Sequence, residues 1–116
     1  MVTAETFREL ALSFPDTAEL PHLELTSFRA NNRIFATLDI KNNRACLMLS
    51  VIDQSVFSAF DKSIIYPVPN KWGQQGATYV ELKTVRKTTL KDAMKHAYDK
   101  VMIQKQAAKK TTPKKN

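Results

Sequence analysis

The stretch from Phe28 to Val51, FRANNRIFATLDIKNNRACLMLSV, decides the fold of this 116-residue chain. Apolar and polar side chains alternate along residues 33–40 and again along residues 44–51, which is the two-residue period of β-strands. The first run follows Asn31-Asn32 and the second follows Lys41-Asn42-Asn43, and asparagine tolerates the positive φ of tight turns. The stretch therefore predicts an antiparallel meander.

The alternation also assigns the two faces of these strands. Ile34, Ala36, Leu38 and Ile40 share one phase of the first run, and Ala45, Leu47, Leu49 and Val51 share one phase of the second; we expect these eight residues to face the core. Phe35 and Met48 fall on the opposite phase, together with Arg33 and Arg44. We therefore expect a partly apolar outer sheet face.

Helices are predicted on both sides of the meander. The first begins at a Thr3 cap and ends before Pro15, because the residue before proline disfavours helical geometry. A short helix follows Asp53, with Val56, Phe57 and Phe60 expected to face inward. The predicted segments are helices at 3–14, 53–60 and 89–105, a meander within 20–51, and short strands at 64–66 and 78–82. The order α-β-β-β-α-β-β-α predicts an α+β fold, an antiparallel β-sheet packed by helices.

Charge divides the chain into two unequal parts. Residues 1–82 carry seven Lys and Arg against nine Asp and Glu, whereas residues 83–116 carry eleven against two, so the net charge of +7 comes from the last third. We expect one domain over residues 1–106. Residues 107–116, AAKKTTPKKN, have few apolar groups to bury, and we expect a disordered basic tail there.

Composition disfavours several functional classes. One cysteine cannot form an internal disulfide, which favours a reducing, cytoplasmic setting. No apolar run approaches the roughly 20 residues that cross a bilayer, so we expect no membrane association. Two glycines do not make a phosphate-cradling loop, and His22 and His96 stand too far apart in sequence for a recognisable metal motif. We therefore expect neither cofactor, metal nor catalytic residues.

Two groups of basic residues are candidates for nucleic-acid binding. The first group flanks the two asparagine turns, and the second links the last strand to the last helix. The candidates are Arg29, Arg33, Lys41 and Arg44 in the first group and Lys83, Arg86, Lys87 and Lys91 in the second. Each group has two interpretations, as phosphate contacts or as ordinary solvated termini of hairpins and helices.

Trp72 lies in a predicted loop and also has two interpretations. A loop tryptophan can stack on a base of a nucleic acid. Alternatively, it can fold down and seal the edge of the core, where its large aromatic surface stabilises the fold.

The chain resembles the MmcQ/YjbR family over roughly residues 3–105. The matching stretches are FRELALSFPD at 7–16, FRANNRIFATLD at 28–39 and YPVPNKWGQQGATYVEL at 66–82, together with the helix from Leu90 to Val101. The resemblance implies a secretion chaperone-like α/β arrangement, the label "DNA-binding, double wing" and no catalytic centre. After Gly76 the family commonly has a tryptophan, whereas this chain has Ala77, so any ligand contact of that aromatic is absent here.

These observations lead to two functional hypotheses from different classes. The first is a non-enzymatic accessory domain that binds DNA through electrostatic phosphate contacts. The second is a protein-interaction or dimerisation module that uses the exposed sheet face, with a second copy or another protein as its partner.

Overall fold

The computed structural model describes the backbone of residues 1–114 and the side chains of residues 1–103. Helices and strands follow one another along the described residues as α1 (Ala4–Leu12), β1 (Thr17–His22), β2 (Leu25–Ala30), β3 (Arg33–Asp39), β4 (Arg44–Met48), α2 (Val51–Ser58), β5 (Ile65–Pro67), α3 (Lys71–Gln74), β6 (Ala77–Glu81) and α4 (Lys87–Lys114). None of the helices in this part of the chain combines the length and the apolar character needed to cross a bilayer.

The strands form one six-stranded sheet in the order β1-β2-β3-β4-β6-β5. All five neighbouring pairs are antiparallel. Helices α1 and α4 pack against one face of this sheet and bury the core between the two layers. The predicted α+β class, an antiparallel sheet packed by helices, is confirmed; the structure adds one strand and one short helix to the predicted order.

The asparagine turns lie where the sequence predicts them. Asn31 and Asn32 both have positive φ, 57° and 60°, and join β2 to β3 through the Ala30–Arg33 pair. In the second turn Asn43 has a φ of 53° and its N–H donates to the Ile40 carbonyl at 3.2 Å. Asparagine adopts a positive φ at a small cost in conformational energy, so tight turns form at these positions. These tight turns set the register of the strands that they join.

Strand β1 was not predicted as a separate strand. It is an edge strand that pairs with β2 and carries Pro21, which an edge tolerates because it needs no N–H on its open side. Its largest apolar side chain, Leu20, is exposed, so the segment TAELPH lacks the apolar alternation of a half-buried strand. The alternation of apolar and polar residues therefore does not predict β1.

A β-bulge at Phe35 changes the faces of β3. Phe28 pairs with Ala36 and Arg29 pairs with Ile34, so Phe35 has no partner in β2. Phe35 is fully buried and packs edge-on against Phe14 and Tyr98, on the helix side of the sheet. The prediction that Phe35 faces outward is therefore wrong, because an inserted residue breaks the two-residue alternation.

Other face assignments in the meander have mixed outcomes. Leu38 and Leu49 are buried, as predicted. Ile40 is 64% exposed because β3 ends at Asp39 and Ile40 belongs to the turn. Met48 lies on the outer face, also as predicted.

Helix α2 differs from its prediction in its N-cap and in two of the side chains expected to be buried. Its N-cap is Ser50, whose Oγ accepts a hydrogen bond from the Asp53 N–H at 3.0 Å, rather than Asp53 itself. Phe57 faces inward, but Val56 and Phe60 are exposed, so their predicted burial is wrong.

Helix α4 buries the predicted apolar stripe, including Leu90, Met94 and Tyr98. It extends beyond the predicted range of 89–105, because alanine and lysine favour helix and an existing helix grows without a new nucleus. Its backbone is helical at 107–114, where the sequence predicts disorder. The side chains after Ile103 and residues 115 and 116 lie outside the described residues, and the independence of this tail from the domain over 1–106 stays a prediction.

Candidate nucleic-acid interface

The predicted basic residues divide between the two ends of the sheet. Strand β3 has seven residues, so at about 3.3 Å per residue its end turns lie roughly 20 Å apart. Arg29 and Arg33 adjoin the Asn31-Asn32 turn, whereas Lys41 and Arg44 adjoin the other turn. The two hairpin turns therefore do not form one surface.

The second turn lies beside the link from β6 to α4. The Leu82 N–H donates to the Asn43 carbonyl at 3.2 Å, and Arg44 pairs with Glu81 across β4 and β6. These contacts place the following exposed side chains at one end of the molecule, here named the basic end: Lys41, Lys83, Arg86, Lys87 and Lys91. Within the part of the chain that the structure describes, none of these five forms an ion pair.

The start of α4 adds to the positive potential of the basic end. The first turn of α4 holds no acidic residue, although the free N–H groups there favour a negative charge. Arg86 and Lys87 instead place cations beside these N–H groups. The arrangement is locally unfavourable, and an anion bound there would relieve it.

A cleft of about 480 Å³ opens beside Arg86. Thr84 and Thr89 line it and supply hydroxyl groups, and Phe60 and Asp61 also line it. Guanidinium and hydroxyl groups are common donors to phosphate oxygens. The Asp61 carboxylate accepts from Ser63 at 2.6 Å, and that hydrogen bond lowers its pKa, so one negative charge also lines the cleft.

Lys62 belongs near the basic end but was not among the predicted residues. The Glu81 N–H donates to the Ile64 carbonyl at 2.8 Å, which brings the exposed segment before β5 to this end of the sheet. The sequence could not indicate this position, because it depends on the pairing of β5 with β6.

Arg44 does not belong to the free cations of the basic end. Its guanidinium carbon lies 3.9 Å from the centre of the Tyr79 ring, and its Nε is buried without a hydrogen-bond partner among the described residues. Arg44 is half-buried on the outer face of the sheet, where it packs on the aromatic ring.

Arg29 and Arg33 lie at the far end of the sheet. The Arg29 Nε donates to the Ser27 hydroxyl at 3.1 Å and the residue is half-buried, whereas Arg33 is exposed. Arg33 pairs with the buried Ala30, since the bulge reverses the faces before Phe35. The expected shared face of Arg33 and Arg44 is therefore wrong.

A second concave surface, here named the outer groove, lies on the sheet face opposite α1 and α4. It has a volume of about 240 Å³. Its apolar lining includes Leu25, Met48, Val68, Trp72 and Tyr79, and its polar lining includes Thr37, Asp39, Arg44, Cys46 and Asn70. Trp72 is 62% exposed, so the interpretation that it seals the core edge is wrong.

Tyr79 was not predicted as a site residue, although its strand was predicted. It alternates with the buried Thr78 and Val80 in β6 and pairs with Cys46 in β4. The two-residue period therefore already indicated that Tyr79 faces outward.

Cys46 is a free thiol in the outer groove. Burial raises its pKa to about 11, which keeps it protonated and weakly nucleophilic at neutral pH. Among the described residues, no group of three His, Cys, Asp or Glu side chains is placed to hold a metal ion.

Comparisons with known proteins give one similar fold. No family model and no curated protein matches this chain. Among solved structures, the chain is similar to the crystal structure of Deinococcus radiodurans protein DR2400, which contains the family-model domain DUF419, with a TM-score of 0.70 and 22% sequence identity over 84% of this chain and 77% of that chain. At this identity the comparison shows the fold alone, an α+β fold like that of a DUF419 domain.

Proposed function

We propose that this chain is a non-enzymatic domain of MmcQ/YjbR type that binds nucleic acid through phosphate contacts at the basic end. DUF419 is the MmcQ/YjbR family, so the similar fold and the sequence resemblance point the same way. The DNA-binding label of that family agrees with this proposal.

One observation carries the proposal. Five exposed cations that form no ion pair among the described residues gather where α4 begins, and that helix end is itself positive. Closely spaced phosphates match such a surface, because each neutralised phosphate releases condensed counterions. Contacts of this kind fix position and give affinity but carry little sequence information.

The geometry also limits how a duplex would bind. The two hairpin turns lie at opposite ends of β3. Only the turn that contains Lys41 can therefore contact the same stretch of sugar-phosphate backbone as Lys83 and Lys87. We therefore propose end-on docking with one hairpin rather than with two.

Fluorescence anisotropy with a labelled duplex at low salt tests this proposal. The basic-end variant, Lys83→Ala with Lys87→Ala, should bind about tenfold or more weakly than the natural chain, because two phosphate contacts are lost. The control variant, Arg33→Ala with Lys71→Ala, removes the same charge from exposed positions away from the basic end and should bind almost normally. Equal weakening in both variants would mean that only net charge matters, and the basic end would lose its role.

A second candidate function, a protein-interaction or dimerisation module, is favoured by a different surface. Ile52 and Val56 lie four residues apart on α2, and Phe60 follows at the same spacing just after the helix ends at Ser58. Ile52 and Phe60 are 77% and 76% exposed. Contiguous exposed apolar side chains are typical of protein contacts. We expect a second copy as partner, since two such uncharged stripes can pack together.

Sedimentation velocity over a range of concentrations tests this second candidate. The natural chain should show a dimer at high concentration, and Ile52→Asp with Phe60→Asp should remain a monomer. A natural chain that stays monomeric at every concentration would remove dimerisation as a function of this surface.

A further inference from the structure

We propose that the outer groove holds an unpaired base of single-stranded nucleic acid, stacked on Trp72, while the phosphates of the same strand lie on the basic end. This inference rests on the proposed function and adds to it a second contact and a preferred form of nucleic acid.

Trp72 is an exposed aromatic on a firmly held backbone. The Asn70 Oδ1 accepts from the Trp72 N–H at 2.8 Å and caps α3. At Gly73 any Cβ would lie 1.7 Å from the Val68 carbonyl oxygen, so α3 packs directly on the preceding segment. The platform is therefore already ordered, and a base that stacks on the indole needs little additional ordering.

The core supports this platform from below. Gln54 is buried, and its Nε2 donates to the carbonyls of Gly73 and Ala77 at 2.9 and 3.0 Å. These two hydrogen bonds tie α2 to both ends of the segment between α3 and β6. The exposure of Trp72 is thus a consequence of specific contacts.

The groove offers polar groups that suit the edge of a base. The Asn42 Nδ2 donates to the Asp39 carboxylate at 2.8 Å, and that hydrogen bond lowers the Asp39 pKa and keeps it ionised. An ionised carboxylate accepts from the exocyclic amino group of a base, so Asp39 suits a second base of the same strand, nearer the basic end than the base on Trp72. The Arg44 guanidinium on Tyr79 provides a cation in the same groove, so its charges are balanced.

The groove is continuous with the basic end. Asp39 and Arg44 line it where the turn with Lys41 begins, and Trp72 lies toward the opposite end of β6. Strand β6 has five residues, so this separation is roughly 15 Å, which an extended strand of a few nucleotides covers. Bases in a duplex are already paired and stacked, so only an unpaired base can stack on Trp72.

The fluorescence of Trp72 tests the inference directly, because it is the only tryptophan of the chain. The full chain is titrated with a single-stranded deoxycytidine oligonucleotide and with an abasic oligonucleotide of equal length, which has the same phosphates. The deoxycytidine oligonucleotide should quench the fluorescence and bind about tenfold more tightly than the abasic one. The abasic oligonucleotide should bind without quenching.

Anisotropy with variants completes the test. Trp72→Ala should bind both oligonucleotides equally and at the abasic affinity, whereas Trp72→Phe should retain part of the difference because it keeps a ring. Equal affinity of the natural chain for both oligonucleotides, without quenching, would overturn this inference and leave the phosphate contacts standing. If neither oligonucleotide nor duplex binds at low salt, the proposed function fails as well.

Discussion

Phe35 shows how one residue changes what a sheet buries. Its ring packs against Phe14 and Tyr98, so it links the segment that follows α1, the sheet and α4. The alternation of β3 assigns Phe35 to the outer face. The bulge is visible only in the pairing of the two strands, where Phe28 lies opposite Ala36 and Arg29 lies opposite Ile34. A bulge depends on two strands at once, so one strand's period cannot predict it.

Phe35→Ala should lower the free energy of unfolding by about 3–5 kcal/mol, through lost apolar burial and a residual cavity. Ile40→Ala is the control, because the exposed Ile40 was assigned to the core by the same alternation. It should change stability by less than about 0.5 kcal/mol. Urea denaturation measures both, and a reversal of the two values would show that the bulge is absent.

Cys46 tests the chemistry of the outer groove. Burial raises its pKa from 9.0 to about 11, so alkylation by iodoacetamide should be slow at pH 8 and accelerate as the pH approaches 11. Below pH 9 the thiol is protonated in both the folded and the unfolded chain, so its titration does not change the free energy of unfolding. Between about pH 9 and about pH 11 the thiol ionises more readily in the unfolded chain, so the free energy of unfolding falls as the pH rises. The urea-unfolded chain should react rapidly at pH 8. Equal rates for folded and unfolded chains would contradict the burial of the thiol.

At the scale of elements, the meander follows closely from its sequence. Asn31 and Asn32 supply the positive φ of a tight turn, and the two runs that they and Lys41-Asn42-Asn43 separate become β3 and β4. Strand β1 carried no such signal, since an exposed edge strand needs no apolar face. Burial of Val56 and Phe60 was wrongly expected, because apolar spacing alone does not show that a neighbouring element covers that side.

The candidate site was less accessible from sequence than the fold. The basic residues could be named one by one, but their grouping depends on which turns share an end of the sheet. Lys83 and Lys41 are 42 positions apart in sequence but lie at the same end of the sheet, because the Leu82 N–H donates to the Asn43 carbonyl. Such long-range pairing also separates Arg33 from Arg44, which the alternation had placed together.

The segment between α3 and β6 should be sensitive to a single methyl group. Gly76 has a φ of +113°, and a Cβ there would lie 1.8 Å from the Leu49 carbonyl oxygen. Gly76→Ala should therefore cost at least about 1–3 kcal/mol, from backbone strain and displacement of the Leu49 segment. The exposed Gln75 next to it provides the control Gln75→Ala, which should be nearly neutral in thermal denaturation. Equal melting temperatures for both variants would show that the close approach does not exist.

At the scale of the whole molecule, the fold gathers most of the exposed, unpaired cations of the described residues at one end. The body up to residue 82 is slightly acidic, but the antiparallel sheet brings Lys41 from that body beside Lys83 and the start of α4. The outer groove begins at the same end and leads to Trp72. A polyanion held at the basic end would therefore have an open path along the sheet.

The salt dependence of duplex binding tests the central claim most directly. Each phosphate contact contributes about −0.9 to the slope of log affinity against log salt concentration on duplex DNA. The basic-end variant should flatten this slope by about 2 relative to the natural chain. The control variant, Arg33→Ala with Lys71→Ala, should keep the natural slope. Identical slopes in all three proteins, or no binding by the natural chain at low salt, would contradict phosphate recognition by the basic end.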